Sequence, residues 1–100
     1  MKVTVRAKEG ISKDFLTAAV IRIYNDKKKE PVWFNKLAEV LDGNVSRSTL
    51  SKYIDKLFDY GIITGDWAKN QEDNWVRVFR ISGEAEMLMD KAIEKFDITI

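Results

Sequence analysis

Residues 44–63, NVSRSTLSKYIDKLFDYGII, constrain the fold of this chain more than any other stretch. Their large apolar side chains recur every three or four positions, which predicts an amphipathic helix with one buried side. These side chains are Leu50, Ile54, Leu57 and Phe58. Such a helix must pack against the rest of the chain along that side.

Both ends of this helix are specified as well. Ser46 is the predicted N-cap, and Val45 and Leu50 stand at the two positions of a hydrophobic staple. Gly61 follows the last turn, where a left-handed glycine closes helices through the Schellman motif. The pattern therefore predicts a helix over about residues 46–60.

The preceding segment predicts a second amphipathic helix. FNKLAEVLDG has an apolar stripe at i, i+3, i+4 and i+7, and Gly43 ends it with a predicted left-handed turn. The stripe consists of Phe34, Leu37, Ala38 and Leu41. Two helices joined by a short turn with glycine form a helix-turn-helix, here over about residues 34–60.

The remaining elements surround this unit. KVTVRAK, residues 2–8, alternates β-branched and charged side chains and predicts an N-terminal strand, and a helix is predicted from Ser12 to about Tyr24. Two strands around the loop NQEDN predict a β-hairpin over about residues 62–81, and a last helix covers about residues 83–96. The 100 residues therefore predict one α+β, mostly helical domain with a three-helix core, a hairpin and a C-terminal helix.

The first helix predicts how the chain associates. It is apolar around almost its whole circumference, with Asp14, Thr17 and Arg22 as exceptions. A helix of this kind is buried on more than one side, which in so short a chain predicts a subunit interface. We expect a homodimer through this helix and the wide apolar stripe of the last one. The residues predicted at the interface are Phe15, Ala19, Ile23, Leu88, Ala92 and Phe96.

The composition limits the chemistry of the chain. It contains neither cysteine nor histidine, which removes disulfides, thiolate nucleophiles, the usual zinc ligands and the commonest general base near neutral pH. No carboxylate pair stands at an informative spacing in an apolar setting. We therefore predict a protein that is not an enzyme and holds no metal or cofactor. Without a signal-peptide pattern or a membrane-length apolar stretch, the expected location is cytoplasmic.

Residues 31–97 resemble the winged helix-turn-helix transcriptional regulators, especially the broad MarR, ArsR and PadR-like group. The resemblance covers the helix-turn-helix and a motif of aromatic, any residue, aliphatic and serine after the hairpin. The matching residues are Leu37, Ala38, Leu41, Ser46, Thr49, Leu50, Leu57, Gly61, Ile62, Phe79, Arg80, Ile81 and Ser82. It implies a winged helix-turn-helix fold in which the hairpin is the wing. It also implies a homodimeric regulator that binds double-stranded DNA at a pseudo-palindromic site.

The resemblance also implies which side chains contact DNA. The helix over residues 46–60 would be the recognition helix in the major groove. Arg47 can donate two hydrogen bonds to guanine, Ser48 and Ser51 can contact base edges or phosphates, and Lys52 can neutralise a phosphate. The full predicted DNA-binding set is Arg47, Ser48, Thr49, Ser51, Lys52, Tyr53, Lys56, Lys69 and Arg77.

The charge distribution leaves a second interpretation open. The formal net charge is only +1, so a DNA-binding surface must be assembled locally. Glu72 and Asp73 make the predicted wing tip acidic, and DNA contact by the wing would then depend on Lys69, Arg77 or Asn74. Winged-helix folds also serve as protein–protein interaction modules without DNA binding, and this is the alternative function. A metal-dependent carboxylate enzyme is a more distant third.

Several features also have purely structural interpretations. Basic and hydroxyl side chains at a helix start are often solvated, and the lysine run over residues 27–29 favours a helix end as readily as it binds phosphate. Trp67 and Trp75 flank the hairpin loop and are placed to pair across it. With Trp33 they are interpreted as core and hairpin packing. The sequence indicates no operator and no effector molecule.

Overall fold

The computed structural model describes residues 3–100, which form an α+β domain of four α-helices and one two-stranded antiparallel hairpin. A short 3-10 turn, Gly83–Ala85, precedes the last helix. The predicted order of helices and hairpin is confirmed. The elements are α1 (Lys13–Asp26), α2 (Phe34–Val40), α3 (Arg47–Asp59), β1 (Ile63–Lys69), β2 (Trp75–Ile81) and α4 (Glu86–Lys95).

The predicted ends of α3 are confirmed. The Ser46 hydroxyl accepts a hydrogen bond from the Thr49 amide at 3.3 Å, which caps the first turn. At the other end the Ile62 amide donates to the Leu57 carbonyl at 3.0 Å, and Gly61 has a left-handed φ of 72°. These two features form a Schellman closure. The exit of the chain from α3 into β1 is thereby set locally.

Helix α1 lies at the centre of the domain. Its sides are covered by α2, α3, α4 and β2 of the same chain, and Ala18 and Ala19 are fully buried because their small side chains let neighbours approach closely. The buried Thr17 hydroxyl donates to the Lys13 carbonyl at 2.9 Å. Ala19 and Ile23, which we predicted at a subunit interface, therefore lie inside the core. The apolar circumference of α1 is explained without a second chain.

The hairpin docks onto α1 through the outer edge of β2. Its register runs from Ile63 opposite Ile81 to Lys69 opposite Trp75. On this outer edge, which faces away from β1, the Asn25 side chain accepts a hydrogen bond from the Ile81 amide at 2.9 Å and donates one to the Phe79 carbonyl at 3.2 Å. One amide group thus completes hydrogen bonds that a third strand would otherwise make.

The two chain ends pair with each other. Arg6 and Thr99 exchange two backbone hydrogen bonds of 2.9 Å, and the Lys8 amide donates to the Phe96 carbonyl at 2.7 Å. Within the described part of the predicted strand 2–8, the structure has this isolated bridge in place of a regular strand. Residue 2 lies outside the described residues. The described parts of the two terminal segments thus contact each other within one chain.

The last helix, α4, begins later than predicted and is linked to α1 by ion pairs of Arg22. A helix that begins at residue 83 would have Ser82 as its N-cap, but the Ser82 hydroxyl donates to the Gly61 carbonyl at 2.8 Å and residues 83–85 form the 3-10 turn. The Arg22 guanidinium makes two hydrogen bonds to Asp90, of 2.9 and 3.2 Å, and lies 3.5 Å from Glu86. These hydrogen bonds hold the pKa of the Asp90 carboxyl below its ordinary value, because their effect is larger than the opposing effect of desolvation.

Across residues 3–100, every helix is too short or too polar to cross a membrane.

Candidate nucleic-acid interface

The start of α3 carries an arginine with a defined orientation. The Arg47 guanidinium donates to the side-chain oxygen of Asn35 at 2.6 Å, and its carbon lies 5.4 Å from the centroid of the Phe34 ring. Asn35 and Phe34 belong to the first turn of α2. The arginine therefore links the N-terminal ends of α2 and α3 and is exposed between them.

Next to Arg47, the outer face of α3 carries exposed donors. Ser48, Ser51 and Lys52 are all exposed, and Ser48 lies 3.4 Å from the Ser46 hydroxyl, oxygen to oxygen. Within residues 3–100, neither Arg47 nor Lys52 has a carboxylate at ion-pair distance. Two uncompensated cations and two hydroxyls thus share the first two turns of the helix.

Three of the side chains predicted to contact DNA make contacts with other residues of the domain instead. Thr49 is half-buried, and its hydroxyl accepts from the Ser46 hydroxyl at 2.9 Å. Tyr53 is half-buried against the core. The Lys56 ammonium lies 3.0 Å from the Asp14 carboxylate of α1, so its charge is compensated. The structure therefore leaves Arg47, Ser48, Ser51 and Lys52 as the available part of the predicted set on α3.

The pKa values of Asp14 and Lys56 are both shifted in this ion pair. A hydrogen bond from the Ser12 hydroxyl, together with Lys56, holds the pKa of the Asp14 carboxyl below its ordinary value although burial opposes the shift. The same carboxylate raises the pKa of the Lys56 ammonium. Lys56 thus links α3 to α1.

The rest of the outer face of α3 is acidic. Asp55 and Asp59 are exposed and follow Ser51 and Ser48 on the same side of the helix, because residues four or seven apart are neighbours there. The positive and hydroxyl-rich part of α3 is therefore restricted to its N-terminal half. A polyanion that lies along α3 would meet attraction at the start and repulsion at the end.

One face of the hairpin combines aromatic and basic side chains. In the register, Trp67 stands opposite Arg77 and Trp75 opposite Lys69, so these four residues point to the same face. Trp67 is 64% exposed and Trp75 is 63% exposed. The interpretation of these tryptophans as packing residues was therefore wrong. Their cross-strand neighbours are cations, and the two indoles are diagonal neighbours.

Arg77 is held flat against the hairpin. Its guanidinium carbon lies 4.3 Å from the centroid of the Phe58 ring of α3, within the range of a cation–π contact. On the other side it lies across Gly65, where an added Cβ would come within 2.6 Å of the Arg77 Nε. Position 65 therefore needs glycine for this placement. Lys69 instead pairs with Asp73 at 3.1 Å and lies over the Trp75 ring.

The aromatic face of the hairpin forms one wall of a shallow groove, and the first turn of α2 forms the other. The groove encloses about 350 Å³. Its lining residues are Trp33, Phe34, Asn35, Trp67, Trp75, Val76, Arg77 and Phe79. Because Arg47 contacts Phe34 and Asn35, the groove adjoins the exposed start of α3.

The sequence identified the cationic positions of this surface but not the groove. A signal was available, since a five-residue loop fixes the register that brings Trp67, Lys69, Trp75 and Arg77 to one face. The contribution of Asn35 had no local signal, because its contact is with a side chain 12 residues away.

The predicted interface residues on α1 and α4 are distributed differently. Ala92 is buried, and Phe15 and Phe96 are half-buried against the core. Leu88 is 47% exposed and its neighbour Met87 is 71% exposed. The exposed apolar surface of α4 is therefore small and centred on these two side chains.

Among residues 3–100, no three His, Cys, Asp or Glu side chains are grouped so that they could hold a metal ion. In comparisons with protein-family models and with curated proteins, the chain has no match.

Proposed function

We propose that this chain is a winged helix-turn-helix protein that binds duplex DNA and regulates transcription, with α3 as the recognition helix and the hairpin as the wing. The order of α2, turn, α3 and hairpin supports this proposal. The N-terminal half of a recognition helix contacts base edges in such proteins, and that half of α3 carries the free donors.

The observation that carries the proposal is the pair of uncompensated cations at the start of α3. Arg47 and Lys52 are exposed and free of carboxylate partners within residues 3–100, whereas Lys56 on the next turn is paired with Asp14. Arg47 can offer its fork of N–H donors to a guanine after exchanging the Asn35 contact for the base. Lys52 supplies a phosphate contact.

The proposal includes a homodimer formed through α4. Met87 and Leu88 support it, because they are the large apolar side chains that this helix exposes among the described residues. A two-fold dimer would place two α3 helices roughly 34–36 Å apart, one turn of DNA. Size-exclusion chromatography with light scattering measures the mass directly. A Leu88→Glu variant that remains folded should run as a monomer.

The DNA proposal is tested by selecting bound fragments from random duplex DNA and then measuring affinity by fluorescence anisotropy at several salt concentrations. Affinity should fall steeply with salt, because phosphate contacts release counterions. Lys52→Ala should lower the salt slope by about 1 and weaken all sequences similarly. Arg47→Ala should cost about 1–3 kcal/mol and relax the preference at one base pair.

A matched control removes two lysines elsewhere. Lys8 and Lys91 are exposed and belong neither to α2, α3 nor to the hairpin, so the Lys8→Ala plus Lys91→Ala variant removes the same amount of positive charge outside these elements. It should keep most of the duplex affinity that Arg47→Ala plus Lys52→Ala loses. Equal loss in both double variants, or no duplex binding at low salt, would contradict the proposal.

A protein-interaction module is the second candidate. The exposed Asp55 and Asp59 favour it, because they place negative charge on the outer face of α3. A complex that survives nuclease treatment, together with absent duplex binding, would support this function over the first.

A further inference from the structure

The hairpin exposes two tryptophans that do not pack in the core. Trp67 and Trp75 lie on one face with more than half of each side chain exposed, although tryptophan usually buries a large apolar area. Within residues 3–100 no aromatic ring is stacked on either indole. The Trp67 ring is therefore accessible to a ligand, whereas the Trp75 ring shares its exposed surface with the Lys69 ammonium, which lies 5.4 Å from the ring centroid.

The same face presents positive charge beside the rings. Arg77 stands opposite Trp67 and has no carboxylate at ion-pair distance in the described part of the chain. Its guanidinium lies over the Phe58 ring and close to Gly65, which has no side chain to displace it. Lys69 stands opposite Trp75, with its charge shared with Asp73. Each indole thus has a cation as its cross-strand neighbour.

The opposite wall of the groove is aromatic too. Trp33 and Phe34 line it from the start of α2, and both are half-buried. A ligand in the groove would therefore contact planar apolar surface on both sides and an unpaired guanidinium at Arg77. A planar group attached to an anion matches this combination.

We propose that this groove binds unpaired bases of a single-stranded nucleic acid, with bases stacked on Trp67 and Trp75 and a phosphate bound at Arg77. Single-strand sites combine aromatic platforms with cations that follow the backbone, and every base offers a π-face. In a duplex those faces are covered by neighbouring bases, so the indoles favour a strand that is not paired.

Charge complementarity favours this occupant over a protein segment. A basic or neutral peptide would leave the Arg77 guanidinium without an anion, whereas a phosphodiester supplies one between successive bases. The proposal goes beyond duplex binding, because it uses the hairpin face rather than Ser48, Ser51 and Lys52 of α3. The two sites can therefore succeed or fail separately.

The experiment measures binding of labelled oligonucleotides to the whole chain by fluorescence anisotropy. The probes are a thymidine strand of about 12 nucleotides, an abasic strand of the same length, and a hairpin duplex. A uridine strand of equal length distinguishes RNA from DNA as the source. The thymidine or uridine strand should bind, and the abasic strand should bind at least about tenfold more weakly, because it has phosphates without stacking bases.

The variants remove the two rings and leave the fold intact. Trp67→Ala and Trp75→Ala should each weaken single-strand binding about tenfold, and phenylalanine at both positions should restore part of it. The matched control is Tyr60→Ala, which removes another large aromatic side chain that is mostly exposed. The control should bind the single strand as the unaltered protein does.

The proposal would be overturned if the abasic strand bound as tightly as the base-containing strands, if single-strand binding were unchanged in the Trp67→Ala plus Trp75→Ala double variant, or if single-strand binding were absent at low salt. If the double variant loses duplex and single-strand binding equally, the groove belongs to the duplex interface and the separate site is refuted. Single-strand binding without duplex binding supports this proposal and refutes the proposed function.

Discussion

Replacing Asn25 tests how the hairpin is fixed to the domain. The side chain of Asn25 reaches across 54 residues of sequence to the Phe79 carbonyl and across 56 to the Ile81 amide. The Asn25→Ala variant removes both hydrogen bonds at once and leaves α1 intact, because alanine is the best helix former. The decrease in the free energy of unfolding therefore measures what these two hydrogen bonds between α1 and β2 contribute to stability.

The magnitude follows from the two backbone groups left without a partner. Phe79 is 5% exposed and Ile81 is 7% exposed, so neither group is freely hydrated after the substitution. An unsatisfied buried group costs about 1–3 kcal/mol. Asn25 itself is only half-buried, so water reaches the vacated space and the lower part of that range applies. We expect a loss of about 2–3 kcal/mol in the free energy of unfolding, or roughly 10–20 °C in Tm.

Urea denaturation and thermal unfolding measure this loss, and amide hydrogen exchange locates it. In the Asn25→Ala variant, the Ile81 amide should lose more protection than the Leu50 amide, which donates to the Ser46 carbonyl inside α3. The matched control is Asn74→Ala in the exposed loop, which should change stability by less than about 0.5 kcal/mol.

The reasoning is refuted if Asn25→Ala unfolds within about 0.5 kcal/mol of the unaltered protein and the Ile81 amide stays protected. A uniform loss of protection over the whole chain would also contradict it, because the bonds would then have no local role.

Three further variants test the surface and the contact between α1 and α4. Asp55→Asn plus Asp59→Asn should strengthen duplex binding roughly tenfold at low salt by removing repulsion of phosphate, and unchanged affinity would contradict DNA binding along α3. Gly65→Ala should displace the flexible Arg77 side chain and weaken single-strand binding, while stability changes by less than about 1 kcal/mol; unaltered binding would show that the guanidinium placement is irrelevant. Asp90 has a lowered folded pKa, so its stabilisation is present above the ordinary value of 3.8 and is lost as pH falls through the folded value. Because its side chain is 50% exposed, the acid-sensitive contribution of Asp90 to the unfolding free energy should stay below about 1 kcal/mol. Asp90→Asn should remove this contribution and leave that of Asp14, and an identical pH profile in that variant would argue against the Arg22–Asp90 ion pair.

Sequence patterns were sufficient where structure depends on neighbouring residues. The cap at Ser46, the closure at Gly61 and the apolar stripe between them each involve residues at most a few positions apart, and all three are confirmed. The hairpin strands were predicted for the same reason, since alternation and a polar loop are local signals. By contrast, Ser82 resembled a local cap, but its hydroxyl bonds to a carbonyl 21 residues away.

What the sequence alone determined is therefore the order and ends of most elements and the cationic residues at the start of α3. The tertiary structure decided which side chains remain available. It buries Ala19 in the core, pairs Lys56 with Asp14, and leaves Trp67 and Trp75 exposed beside Arg77. The physical reason is that exposure and charge compensation depend on which distant segments pack together, whereas caps and periodicity depend only on bonds and contacts within one or two turns.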